Sequence, residues 1–152
     1  MASLEEVRTA LDKDELDYPR LASELGEDAL EPLRELVEED EPRIASKAAY
    51  LAALISGERS DEVVGLASRS RHEVVRVSAA AALSELPAGQ GEAAAERLLS
   101  DPDAGVRARA ARSAVRRGDP ALTGRVREMA RDDQDPAVQE LAGELTRDQP
   151  GP

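Results

Sequence analysis

A β-branched residue recurs in this chain at Ile44, Val75, Val106 and Val138, at intervals of 31, 31 and 32 residues. Four positions after each stands an alanine: Ala48, Ala79, Ala110 and Ala142. A branched residue followed one helical turn later by a small one leaves a narrow apolar stripe, which a neighbouring helix can approach closely. A fixed period near thirty then predicts supersecondary units stacked in one direction, each covering the apolar face of the next. Between the copies lie further segments with apolar residues at helical spacing: Leu33, Leu36 and Val37; Val63, Val64 and Ala67; Ala94, Ala95 and Leu98; Leu122, Val126 and Met129. Each unit therefore reads as a helix pair.

Punctuation residues set the boundaries. Ser3 and Glu6 form a capping box for a first helix that buries Leu4, Val7 and Leu11. Leu16, Leu21, Ala22 and Leu25 suggest a shorter second helix with Pro19 in its first turn and Gly26 at its end. This irregular pair, residues 3–26, would cover the open end of the stack. Repeats follow at about 27–57, 58–88, 89–118 and 119–146, with Ser60 or Asp61 as the first cap of the second of them. Asp119 before Pro120 and Asp135 before Pro136 read as N-caps followed by first helical residues. The expectation is one domain over residues 1–146 and a disordered tail over 147–152.

The clearest copy runs from Asp101 to Gly118, with the turn Asp101, Pro102, Asp103, then Val106 and Arg107, then Ala110 and Ala111. On these residues the unit resembles a HEAT repeat, in particular the short bacterial and archaeal form found in phycobilin lyases. The resemblance implies an all-α, right-handed solenoid of about five antiparallel helix pairs. It also implies a structural turn pair, in which Asp101 bonds Arg107 six residues later. The other copies depart from that pattern, with Ser70 before Arg76, Glu39 before Ala45 and Asp133 before Gln139, so the ladder is expected to be interrupted. For function the resemblance implies a binding scaffold, with a relative of bilin or cofactor lyases as the alternative. A tetrapyrrole needs a polar cavity, which Ala-rich second helices do not favour.

The chemistry of the chain is thin. Cysteine is absent, which excludes disulfides and thiolate metal sites, and no apolar run reaches the roughly 20 residues of a membrane span. Met1 to Ala10 lacks the basic start and apolar middle of a secretion signal, so a cytoplasmic location is expected. The single histidine, His72, precedes Glu73 in a manner similar to the His-Glu pairs of the di-iron HEAT enzyme deoxyhypusine hydroxylase. One such pair makes no iron site, and no serine has an evident histidine base. The acid runs Glu38 to Glu41 and Asp132 to Asp135 lack the turning glycine of a calcium loop and read as solvated charge. Neither an enzyme nor a bound cofactor or metal is expected.

The formal charge of −12 is unevenly placed. Residues 1–42 hold 15 acids and 4 bases, whereas residues 101–131 hold 4 acids and 8 bases. Low lysine with high acid fits a salt-loving organism and a GC-rich genome alike. At 100° per residue, Arg109, Arg112 and Arg116 fall within about 60° of one another, away from Val106 and Ala110. This stripe, with Lys47 and Tyr50 at corresponding places in an earlier unit and Val77 on the same surface, is the candidate partner-binding surface on the concave side. Arginine pairs bidentately with carboxylates, so a protein or peptide of acidic character is the expected partner. The plainer alternative is that arginines near a helix end satisfy its carbonyls and dipole. Nucleic acid fits poorly, because the net charge repels it and two tyrosines give few platforms for bases. A monomeric adaptor is the expectation.

Overall fold

The computed structural model describes residues 2–55 and 57–149 and contains ten α-helices among them, with no strand. In chain order they are α1 Leu4–Leu11, α2 Tyr18–Leu25, α3 Leu30–Glu38, α4 Pro42–Leu54 and α5 Glu58–Ala67. Then follow α6 Glu73–Ala82, α7 Glu92–Leu99, α8 Ala104–Arg117, α9 Pro120–Asp132 and α10 Pro136–Thr146. Odd-numbered helices contact one another in sequence, α1 with α3, α3 with α5, α5 with α7 and α7 with α9. Even-numbered helices do the same, from α2 through α4, α6 and α8 to α10. Two helical layers stacked along one direction make an α-solenoid.

The periodic positions explain the stacking. Ile44, Val75, Val106 and Val138 are at most 3% exposed, and Ala48, Ala79, Ala110 and Ala142 are fully buried. With only a methyl group at the alanine positions, second helices of successive units pack closely, and a continuous apolar core runs the length of the stack.

Local chemistry sets most helix ends. The Ser3–Glu6 capping box is formed in both directions, and Asp119 and Asp135 accept from Ala121 and Ala137 N–H groups as N-caps. Gly118 closes α8 with φ 77°, a left-handed value that glycine adopts without a side-chain penalty. Two expectations need correction. Helix α5 begins at Glu58, and Ser60 lies buried in its first turn with its hydroxyl donating to the Gly57 carbonyl. Helix α6, which the sequence pattern extends from about Glu73 to Leu86, ends at Ala82, and its continuation from Leu83 to Glu85 is a 3-10 turn. Of the expected tail, residues 147–149 follow α10 with the Gln149 N–H donating to the Thr146 carbonyl, while 150–152 lie outside the described residues.

Candidate functional site

Arginine placement divides into buried and exposed uses. Arg107 is a buried use: its guanidinium donates from Nε and Nη2 to the two carboxylate oxygens of Asp133, each at 2.9 Å, and from Nη1 to the backbone carbonyls of Asp101 and Pro102. Arg76, one unit earlier, donates in the same way to the Asp101 carboxylate and to the Ser70 carbonyl. The expected Asp101–Arg107 bond thus runs through the Asp101 carbonyl, while the Asp101 carboxylate serves Arg76. Each of these arginines bonds the carbonyl six residues before it, and its charge goes to the turn acid of the following unit. Asp133 sits below the usual carboxylate range although burial opposes this, because Arg107 and the Asp135 N–H both donate to it.

The turn acids Glu38 to Glu41, expected to be solvated, are also paired. Arg34 binds Glu38, and Arg8 binds Glu39 at 2.6 Å and Glu41 at 3.1 Å. Asp40 takes Arg71 and the His72 ring nitrogen, and those two partners, Arg71 first, hold its carboxyl below the ordinary value. His72 is thus a cross-unit contact. Among the described residues no group of three His, Cys, Asp or Glu side chains is placed to hold a metal ion.

The exposed use is the stripe. Arg109, Arg112 and Arg116 are solvent-exposed on α8, and among the described residues none of them makes a hydrogen bond or an ion pair. The side chains of Arg69, Arg131 and Arg147 are also without such partners among the described residues but stand singly elsewhere. In a chain with 32 acids and 20 bases, three adjacent unpaired arginines on one helix face are not explained by the internal charge network. Their neighbour Arg117 is used internally, but not to cap α8: it donates to the carbonyls of Leu83 and Gln90 and pins the loop that precedes α7.

Beside the stripe, the exposed side of the second helices carries a groove of about 440 Å³ lined by Tyr18, Lys47, Tyr50, Val74, Val77 and Arg109, among others. Tyr18 and Tyr50 meet edge to face with ring centroids 5.1 Å apart. Burial pushes both phenols up, and Glu85, which accepts the Tyr50 hydroxyl, pushes Tyr50 further, while Arg109 and Arg116 pull it down. Those opposing influences place Arg109 and Arg116 within electrostatic reach of the groove. Val74 is 52% exposed.

Four of the expected partner-binding residues, Lys47, Tyr50, Val77 and Arg109, therefore line one groove, and Arg116 faces it electrostatically. Arg112 lies on the same stripe but does not line the groove. Lys47 differs in kind from the arginines, because its ammonium donates to the carbonyls of Leu11 and Lys13 and so caps the end of α1. Sequence reasoning missed Tyr18, which comes from the irregular first pair, and Val74. Val74 and Val77 sit outside the core stripe marked by Val75 and Ala79, and that surplus of valine in α6 was the available signal.

A family model described as HEAT repeats matches residues 60–145. No curated protein matches the chain. Among solved structures, the crystal structure of an engineered protein aligns with a TM-score of 0.51 at 20% identity, covering 95% of this chain and 79% of its own. At that identity the likeness concerns the fold alone. No described helix is long and apolar enough to cross a membrane.

Proposed function

The chain belongs to the HEAT repeat family, and on that premise we propose that it is a non-catalytic adaptor or scaffold that binds a protein or peptide across the exposed side of its second helices. Such repeats generally mediate protein interaction, so the open question is which surface and which partner chemistry. The observation that carries the reading is the row Arg109, Arg112 and Arg116, unpaired among the described residues and running beside the Tyr18–Tyr50–Val77 groove. An apolar pocket with a charged rim is the usual anatomy of an interface. Guanidinium groups without internal partners favour a carboxylate-bearing ligand, which they meet bidentately. Monomeric action in the cytoplasm, without nucleic acid, accompanies this reading.

Changing Arg109, Arg112 and Arg116 together to glutamate tests it. The three side chains are exposed, so the fold should persist, while three attractive pairs become repulsive. A partner captured from the native lysate and measured by calorimetry should lose at least about tenfold in affinity, and binding to the original chain should weaken with salt. If that partner binds the triple variant as tightly as the original and weakens only when Tyr50 or Val77 is changed, the arginine row is no part of the interface.

A further inference from the structure

We propose that the groove over α4 and α6, together with the arginine stripe of α8 beside it, receives an amphipathic acidic helix of the partner, a step that rests on the adaptor reading above and narrows it to one ligand form. The apolar row of α6 and the stripe of α8 carry the same spacing. On α6, Val74, Val77 and Ala81 stand at i, i+3 and i+7, and all three line the groove. On the neighbouring α8, Arg109, Arg112 and Arg116 stand at the same i, i+3 and i+7. At 1.5 Å per residue both rows extend for roughly 10 Å along their helices, with members of each row within about 60° of one another.

Neighbouring helices thus present an apolar row and a cationic row, over the same length and with the same pitch, and Arg109 joins the stripe to the groove. A helix laid over them meets both rows at once when it has an apolar row at i, i+3 or i+4, and i+7, and an acidic row on the adjoining face. This is the pattern by which helices are recognised in grooves. An extended peptide would cover the same 10 Å or so in about three residues, and its alternating side chains would send only some of its carboxylates towards α8. No strand among the described residues offers an edge for an extended ligand to join.

The net charge of −12 is unevenly placed about this surface. The acid-rich amino-terminal segment adjoins the groove at its α2 and α4 end, where Tyr18 lines it and Lys47 holds the carbonyls of Leu11 and Lys13. The arginines that lack partners among the described residues stand on α8, at the other end. An acidic row is thus repelled from one end and attracted to the other. The same gradient orients the ligand, with its acidic row over α8 and its uncharged side towards Tyr50 and Tyr18.

Three synthetic peptides of equal composition and about 20 residues test the inference against the full chain by fluorescence anisotropy and circular dichroism. The first places leucines at i, i+3 and i+7 with glutamates on the adjoining face and a proline at its end. The second scrambles the order, and the third moves the proline to the centre, where it breaks the helix. The first should bind, gain helicity on binding, and bind at least about tenfold more tightly than the other two. Its affinity should fall about tenfold with Val74→Glu, a half-exposed position whose change spares the core, and with R109E/R112E/R116E. Equal binding of all three peptides, or binding of none, overturns the helical ligand. A lysate partner that still distinguishes the original chain from the triple glutamate variant would then leave the adaptor reading standing.

Discussion

Removing the Asp133 carboxylate should be far more damaging than removing that of Glu39, although both accept paired hydrogen bonds from an arginine. In the Arg107–Asp133 pair the side chains are 6% and 4% exposed, whereas in the Arg8–Glu39 pair they are 28% and 36% exposed. Asp133→Ala leaves the buried Arg107 bonded only to the Asp101 and Pro102 carbonyls, with no carboxylate in direct contact and only the more distant Asp135 and Asp103 to offset its charge, and it deletes the acceptor of the Asp135 N–H. Breaking a buried pair from one side costs about 3–5 kcal/mol, and an exposed pair is worth about 0–1 kcal/mol. At about 2–4 °C per kcal/mol for a chain of this size, the difference is roughly 10 °C in Tm by far-UV circular dichroism. Because units touch only their neighbours, hydrogen exchange should also show α9 and α10 opening first. The double change Arg107→Met with Asp133→Leu should recover most of the loss, since the cost lies in the uncompensated charge. Losses from Asp133→Ala and Glu39→Ala that agree within about 1 kcal/mol would refute the reasoning.

Two further outcomes are expected. Ala79→Leu or Ala110→Leu, at fully buried contacts between second helices, should cost about 1–3 kcal/mol by overpacking, whereas Ala81→Leu, which points into the open groove, should lower Tm little. The original chain should lose stability in acid. Asp133 and Asp40 are held below their usual range, and Glu31, bonded by Arg34 and Arg59, lies at about 2. A depressed carboxyl stabilises the fold above its unfolded value near 4, and that contribution disappears as pH falls through the folded value. Tm measured from pH 6 down to 2 should therefore decline below about pH 4, and less steeply in Asp133→Asn.

The helix pairs were legible because each unit states its own packing: a branched residue, an alanine one turn on, a cap before and a breaker after. Contacts between units were not stated in that local form. Arg76 reaches Asp101, and Arg107 reaches Asp133, across 25 and 26 residues, so a search for an acid six positions before each arginine finds Asp101 for Arg107 and only Ser70 for Arg76. Laid on the period, the copies do hold a trace of the real pairing. Ala45 occupies the place of Arg76 and Arg107, and Ser70 occupies the place of Asp101 and Asp133, so donor and acceptor of the missing rung are absent together.

The same alignment bears on the site. Lys47, Ser78 and Arg109 are equivalent positions, 31 residues apart. Lys47 donates back to the Leu11 and Lys13 carbonyls, and the Ser78 hydroxyl donates back to the Ser46 carbonyl, so both join a unit to the one before it. Arg109 makes no such bond among the described residues, though it is the longest donor of the three. A position that stitches the first repeats together is thus released in the third, and Arg112 and Arg116 follow it on the same face. Only comparing units with one another, once their contacts are known, separates the structural lysine from the arginine left to meet a partner.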